Sequence, residues 1–585
     1  MPNVKYAKVL DTRLEAVSSN DICYVVEQGA NVVNYTPLVS SSHSNQNTTF
    51  NLNNIADVTC RQSRIVMGAT VTLTLSMTNS SNVALDVVNA DNFGFKQFPL
   101  NRCMTSIQHQ INQASYTLNS YDILDAITKL NYNSPDMNFF ENTQPDSVDS
   151  YANATGTLIN PIASYASSIQ GEGIFKPRSL NYTISGNSIP ANSTGTCVIT
   201  CNLYEPLITP FTDVSSKDTR GLYAITGELI NISYVSDLYN NMFAFVPQPG
   251  LTVASSVVDL GATSKLYTVY LTPKEETVAQ IPRESVYQYI DYSTSTVKVA
   301  DSVPAGSAFQ SSSQVVNFTN LPSKILVYAR ISNAYRTVST PDKYLAINSL
   351  SVTFDNGQPQ LSNTDLDGNQ IWEVSNRNGL SQNRGSFQQA RLNNGVAGFT
   401  GDLYGSGGVM VIDPSLDLGI RSGMSAGSPG RFVFQVTCNF QNKTNTDFPE
   451  CTLYVVGLTN AILERVGSQY RNYLLTTPVN IINEVANLPP ISHAEWKSQK
   501  SSNSFLGGAG VGDWFKKAWG QMKAIPHYIT STKDIINDGR AILNTGRELA
   551  KVARGGAHKG RSSIRQPVAF TNDIRPARNE DMFFD

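Results

Sequence analysis

Five histidines (His43, His109, His493, His527 and His558) and seven cysteines (Cys23, Cys60, Cys103, Cys197, Cys201, Cys438 and Cys451) are the side chains of this 585-residue chain best suited to hold a metal or attack a substrate. Their spacing supports neither role. No histidine and cysteine stand in the paired arrangements of a zinc site. Cys197 and Cys201 are four apart on an alternating apolar/polar run, which places them on one face of a strand about 13 Å apart, beyond the reach of a disulfide. The odd number and scatter of the cysteines predict buried, reduced thiols. Asn363, Asp365, Asp367 and Gly368 open like a calcium loop. The bidentate acid such a loop needs would fall on Val374, Glu373 comes one place early, and no flanking helices are read, so a polar turn is expected. Gly405, Gly407, Gly408 and the glycines around Gly510 follow no phosphate-loop spelling, and no G-x-S-x-G occurs. No catalytic, cofactor-binding or metal-binding residue is therefore assigned, and the chain is expected not to be an enzyme.

Composition narrows the class further. Charged residues make up 15% of the chain and apolar residues 41%, against about a quarter charged in an average globular domain. That profile fits neither a disordered chain nor a coiled coil. A net charge of −3 supplies no global basic field, so any contact with nucleic acid must be local. No run of eighteen apolar residues occurs and Met1 to Val17 lacks an apolar core, so neither a membrane span nor a signal peptide is expected. The length predicts two large domains or about three to four small ones.

The elements that would position any site are strands almost to residue 490. From Arg64 to Met77, Ile65, Met67, Ala69, Val71, Leu73, Leu75 and Met77 alternate with Thr70, Thr72, Thr74 and Ser76, the period of a half-buried strand. The pattern recurs at Cys197 to Leu203, at Leu350, Val352 and Phe354, and from Phe432 to Phe440. Helix signals are few in this region, the clearest being Tyr121 to Leu130 with Ile123, Leu124, Ile127 and Leu130 at helical spacing. Long stretches rich in Asn, Ser, Gly and Pro at 131–162 and 356–408 exceed simple hairpin turns. The fold expected is all-β, with two consecutive eight-stranded sandwiches and long loop insertions, followed by a helical basic tail. The expected divisions are an arm at 1–44, a first sandwich at 45–250, a second at 251–495, a Gly/Ser-rich linker at 496–512 and the tail at 513–585.

The tail differs in charge and period. Residues 501–585 carry 13 Lys and Arg against 8 Asp and Glu, a net of +5, which leaves −8 on the preceding 500 residues. Trp514, Ala518, Met522 and Ile525 form a helical stripe widened by Phe515 and Trp519, with Lys516, Lys517 and Lys523 mostly off it, until Pro526 stops the helix. Such a helix suits a lipid interface or a protein surface. A second helix repeats every seven residues in files that include Ile535, Ile542 and Leu549, Ile536 and Leu543, and Gly539 and Gly546, a stripe for close packing against another helix. Arg554 to Arg565 is basic and Gly-rich, as in a solvated tail or a nucleic-acid-contacting arm.

Four passages together resemble a known family: Phe98 to Ile111 (FPLNRCMTSIQHQI), Tyr204 to Phe211 (YEPLITPF) leading into Gly221 and Leu222, Phe318 to Arg330 (FTNLPSKILVYAR), and Gly407 to Gly419 (GGVMVIDPSLDLG). In order and spacing they resemble the double-jelly-roll major capsid proteins of the adenovirus, polinton-like virus and virophage lineage, over about residues 45–490. The resemblance implies two jelly rolls and pseudo-hexagonal homotrimeric capsomers that tile an icosahedral shell. It further implies penton and minor capsid proteins as partners, and a place in the virion after synthesis in the host cytosol and assembly in cytoplasm or nucleus. The loops at 131–162 and 356–408 would then be towers or clasps between subunits, and the arm would run beneath the shell or into a neighbour. Leu506, Gly508, Ala509 and Gly510 fit the pattern cut by the viral cysteine proteases of such viruses, which would release 510–585. The tail helix resembles a membrane-disrupting segment of adenovirus internal protein, so membrane or genome contact through the tail is a further expectation. Other β-sandwich virion proteins (penton, spike or fibre) and a non-viral carbohydrate-binding double sandwich remain open as alternatives.

Overall fold

A computed structural model describes residues 9–10 and 26–27 and most of 32–131, 182–274 and 284–474. The first sandwich is built from β1 (Asn47–Asn53), β2 (Val66–Asn79), the short helix α1 (Pro99–Arg102), β3 (Met104–Ile111), β4 (Ala114–Leu118), helix α2 (Ser120–Asn131), β5 (Ser193–Pro206), β6 (Gly227–Tyr234), β7 (Leu251–Asp259) and β8 (Ser264–Tyr267). One sheet runs β4-β3-β6-β1 and is extended by Ser42–His43. In the facing sheet β5 covers one edge of β2, while β7 and β8 share the other edge. The alternation read in the sequence sets the register: Cys197, Ile199, Cys201 and Leu203 lie opposite Leu75, Leu73, Val71 and Ala69. All eight are buried, in a core shared with Phe50, Met104, Ile107, Ile230 and Ile232 of the first sheet. The intervening threonines face outward and bond across the strands, Thr70 to Asn202 at 2.7 Å for example.

The second sandwich comprises β9 (Glu284–Val303), β10 (Lys324–Ile331), β11 (Ala346–Phe354), helix α3 (Gly368–Arg377), β12 (Met410–Ile412), β13 (Pro429–Gln441), β14 (Phe448–Val466) and β15 (Gln469–Leu474). One sheet runs β9-β14-β10-β12, with β15 also on β14, and the other is centred on the β13–β11 pair. The core between them holds Val352, Phe354, Phe434, Val436, Cys438 and Phe440 from one sheet and Ile325, Val327, Val411, Leu453 and Val455 from the other. Six cysteines, Cys60, Cys103, Cys197, Cys201, Cys438 and Cys451, are buried. Cys23 lies outside the described residues.

Several expectations are corrected by the pairing. β7 and β8, expected to open the second sandwich at residue 251, hydrogen-bond to β2 of the first, because an alternating strand shows its face in the sequence but not its partner. The arm expected to end at residue 44 is stitched to the first sandwich in its later part: Val32–Asn34 pairs with Tyr270–Thr272, and Leu38–Val39 with β8. The 356–408 stretch is not simply a loop. It contains α3, whose Ile371 and Ser375 are buried, and Val374 packs on the second core. A helix therefore does follow Gly368, while Asn363, Asp365 and Asp367 lie outside the described residues. Gly407 and Gly408 owe their identity to packing. A Cβ on Gly408 would sit 2.0 Å from the Phe387 ring, and one on Gly407, where φ is +78°, would sit 2.0 Å from the Tyr344 carbonyl. All the described residues fall in one compact unit, which ends at Pro490.

Candidate functional site

Many of the described polar and aromatic groups converge on the seam between the two sandwiches, and α2 is its axis. Ile123, Ala126, Ile127 and Leu130 share one helical face. They are buried in one cluster with Ile325, Tyr328, Leu345 and Val409 of the second sandwich, whereas Leu124 packs with Phe98 and Ile208 of the first. A helix that leaves β4 thus completes the core of the other sandwich. The Ser120 hydroxyl donates to the Met104 carbonyl at 2.7 Å. The Tyr328 hydroxyl donates to the Asp122 carbonyl at 2.8 Å, Asn333 Nδ2 to Asp122 Oδ1 at 2.7 Å, and Arg330 Nη2 to the Tyr121 and Asp122 carbonyls at 3.0 and 3.1 Å. Arg330 also lies 4.9 Å from the centre of the Tyr454 ring, which stacks on Tyr328.

Beside the helix, the segment after β10 is tied back to the first sandwich. Lys96, fully buried, donates through Nζ to the Asn240 carbonyl at 3.0 Å and the Thr337 carbonyl at 2.8 Å. Val338 N donates to Asn240 Oδ1 at 3.0 Å, and Phe245 N to the Val338 carbonyl at 3.1 Å. Fixing a lysine by two carbonyls from different sandwiches turns its desolvation cost into a positional constraint.

At another corner the seam is aromatic. Phe211, Ile111, Ala114, Leu222 and Ile225 of the first sandwich cluster with Tyr287, Tyr289, Ala461, Leu463 and Tyr470 of the second. Phe211 and Tyr289 meet edge-to-face at 5.1 Å. The Tyr116 hydroxyl donates to Asp291 Oδ1 at 2.5 Å, Asn112 Nδ2 to the Ser468 carbonyl at 2.8 Å, Asn472 Nδ2 to the Ser115 carbonyl at 2.9 Å, and the Tyr470 hydroxyl to the Tyr223 carbonyl.

Beneath this corner lies a buried charged chain that sequence reasoning missed. His109 Nε2 is 2.6 Å from Glu228 Oε1, its Nδ1 is 2.9 Å from Thr209 Oγ1, and Arg61 Nη2 is 3.3 Å from the same Glu228 oxygen. Burial alone would raise the Glu228 carboxyl, but the Arg61 guanidinium and the His109 contact outweigh it and hold it below its ordinary value. Burial also lowers the His109 imidazole, against the opposing pull of Glu228. Hydroxyl, imidazole and carboxylate have the connectivity of a hydrolytic triad. Thr209 is only 3% exposed and His109 0%, so no substrate can reach the hydroxyl and the arrangement is structural. No sequence signal pointed to it, because His109 and Glu228 are 119 residues apart. Nearby, Glu205 accepts from Leu100 N at 2.8 Å, Asn101 N at 2.9 Å and Asn101 Nδ2 at 2.8 Å. Burial nevertheless pushes its carboxyl up to about 7.

The residues singled out in the tail lie outside the described residues. They are Leu506, Gly508, Ala509 and Gly510 at the cleavage pattern, Trp514, Phe515, Ala518, Trp519, Met522 and Ile525 on the first helix, and Ile535, Ile536, Gly539, Ile542, Leu543, Gly546 and Leu549 on the second.

Comparison with known proteins matches the two halves separately. Residues 3–253 match the family described as the Sputnik virophage major capsid protein first domain, and residues 292–460 match the major capsid protein V20 C-terminal domain. The protein described as capsid protein V20 of Sputnik virophage is 23% identical over 482 residues, spanning 78% of this chain and 77% of its own. A chain in the cryo-EM structure of the Sputnik virophage superposes with a TM-score of 0.69 at 21% identity, covering 85% of this chain and 99% of that one. The mavirus major capsid protein gives a TM-score of 0.60 at 16% identity, covering 78% and 93%. The resemblance read from the sequence therefore holds over both sandwiches: the chain carries the first and the C-terminal domains of virophage major capsid proteins in that order, on the double-jelly-roll fold.

Proposed function

We propose that the chain is a major capsid protein of a virophage-like virus, three copies of which form a pseudo-hexagonal capsomer of an icosahedral shell. The observation that carries this reading is the seam. Two jelly rolls joined through a shared helix, a bridging lysine and an aromatic corner make one block, and a threefold set of such blocks presents a near-sixfold outline that tiles a face with few distinct contacts. Burial of apolar surface between subunits drives trimer formation, and more polar contacts between trimers allow correction as the shell closes. The role is assembly rather than catalysis, in keeping with relatives that are structural capsid proteins. Penton and minor capsid proteins are the further partners of this reading.

Light scattering on the purified chain tests it. A trimer of three 63.8 kDa chains, about 191 kDa, that goes on to closed particles is the expected result. A stable monomer or dimer at high concentration would overturn it and turn attention to a spike, fibre or carbohydrate-binding role. In the tail, cleavage between Ala509 and Gly510 by a viral cysteine protease would release 510–585, whose amphipathic helices would act in assembly, membrane disruption or genome contact. Deleting 510–585 should leave the trimer intact and impair shell formation, whereas a deletion variant that fails to fold would show the tail to be part of the body.

A further inference from the structure

Corresponding sheet edges of the two sandwiches are finished differently. In the first, β1 lies beside β6, and its far edge is covered by the chain that precedes it: Ser42–His43 pairs with Thr49 and Thr48, and the Ser41 and Ser44 amides donate to the Thr49 and Asn47 carbonyls. In the second, β9 lies beside β14 over its whole length. The first sandwich touches the far edge of β9 where the Tyr292 amide donates to the Tyr116 hydroxyl at 3.3 Å. That bond fixes the parity of the strand. Tyr292 faces Leu458, whose carbonyl accepts from Ser323 N on the β10 side, so Tyr292 and Leu458 exchange no bonds and Tyr292 turns its N–H and C=O outward. Thr294, Thr296 and Lys298 follow at the same parity, up to the bulge between Lys298 and Ala300. Their side chains are exposed, and among the described residues no strand pairs with this edge.

We infer that the open edge of β9 docks on the same strand of a second copy, antiparallel about a twofold axis at Thr296, and so joins one capsomer to the next. An edge of unpaired N–H and C=O groups takes an extended backbone. In a capsid protein the neighbours at hand are further copies of the chain, and to that extent the inference rests on the capsomer reading. The edge is self-complementary. Two strands exchange bonds only where outward-turned residues of both meet. With Tyr292 occupied and the bulge closing the other end, the register that uses every free position sets Thr296 opposite its own counterpart and Thr294 opposite the counterpart of Lys298. Threonines directly opposite one another stabilise a sheet, and Ser293 to Val297 carries no charge. The lysine that would guard the edge is held on its own subunit, Lys298 Nζ pairing with Asp301 and, at 2.8 Å, with Glu450. No like charges therefore face one another. A strand pair this short is small against the interface of a stable oligomer, which suits a contact that must be reversible while a shell closes.

Proline at Thr294 tests this, because the N–H it removes lies outside the β9–β14 ladder and an edge strand tolerates the loss. In light scattering on the full chain at rising concentration, Thr294→Pro should keep the trimer and its unfolding midpoint while association between trimers weakens about tenfold or more. Ser295→Pro, whose N–H lies inside the ladder, should lower the unfolding midpoint instead; an unchanged midpoint would show the parity to be reversed and overturn the pairing. Unchanged association between trimers in Thr294→Pro would also overturn it, and so would a variant that falls to monomers, by placing the edge inside the capsomer. A wild type that forms trimers and nothing larger refutes the pairing and leaves the capsomer reading standing. If Thr294→Pro does not fold, Thr296→Cys treated with a short bis-maleimide decides the matter. A covalent dimer of two 63.8 kDa chains, found only in material assembled beyond the trimer and absent from the wild type treated alike, supports the pairing. No such dimer, or one formed within isolated trimers, refutes it.

Discussion

The two sandwiches share an architecture and differ in what their interiors hold. Among the described residues the first buries Arg61, Lys96, Arg102, His109, Glu205 and Glu228, while the second buries Arg330, Arg336 and Arg465 and holds the Asp417 side chain at 1% exposure against Arg377. Arg330 points at the helix donated by the first sandwich, and Arg336 and Arg465 lie over Tyr121 and Tyr223 of the first. The first half therefore carries a mixed buried charge network of its own, whereas the buried arginines of the second serve the joint. Stability in the first should follow pH more strongly than stability in the second, where Asp413 and Lys443 are the groups shifted by burial and volume and fit should weigh more.

The comparison breaks most sharply at Glu228. Replacing it with Leu strands Arg61 and His109 without their acceptor and should cost about 3–5 kcal/mol in chemical unfolding; a loss below about 1 kcal/mol would mean that the charge network is dispensable. In the second sandwich Gly408→Ala should cost about 3 kcal/mol or more, since its Cβ meets a buried ring with no room to retreat. Ile127→Ala should cost about 2–4 kcal/mol, with exchange protection lost in β10 and β14 rather than in β2 and β5. Loss centred on β2 and β5 would place the helix with its own sandwich.

Glu205 sharpens the contrast by sign. Its folded value of about 7 lies above the ordinary 4.5, so the folded state binds its proton more tightly. That contribution is complete below pH 4.5 and disappears as pH rises through about 7. His109 runs the other way, its contribution being complete above pH 6.5 and lost as pH falls through its lowered value. Glu205→Gln should therefore flatten the fall in stability between pH 5 and 7, measured as denaturant midpoints; an unchanged profile would show that the carboxyl does not titrate there. The smallest effect expected is Tyr328→Phe, about 1 kcal/mol for the bond to the Asp122 carbonyl, seen in the unfolding midpoint.

Much of the scaffold was legible in the sequence because strands and amphipathic helices repeat locally. The expected strand at Arg64 to Met77 is Val66–Asn79, and the expected helix at Tyr121 to Leu130 is Ser120–Asn131. The seam was not legible, because its pairs are remote: Tyr116 and Asp291 are 175 residues apart, and Arg330 and Tyr121 are 209 apart. The boundary at 251 failed for the same reason. The sequence of Leu251–Asp259 carries no mark of its partner, and only hydrogen bonding to Val66–Asn79 assigns it. Gly407 and Gly408 look like a flexible run until the Phe387 ring and the Tyr344 carbonyl are seen against them.

The donated helix also sets a timetable for synthesis. Ile123, Ala126, Ile127 and Leu130 are made early, yet the residues that cover them extend to Leu458. A ribosome adding about 5–20 residues per second needs on the order of 20–60 s for the intervening stretch of about 330 residues. For that interval every nascent chain carries a sticky apolar stripe, on a polysome whose neighbours carry the same stripe. Translation of this message should therefore draw on holdase chaperones during elongation, in proportion to how slowly its second half is read.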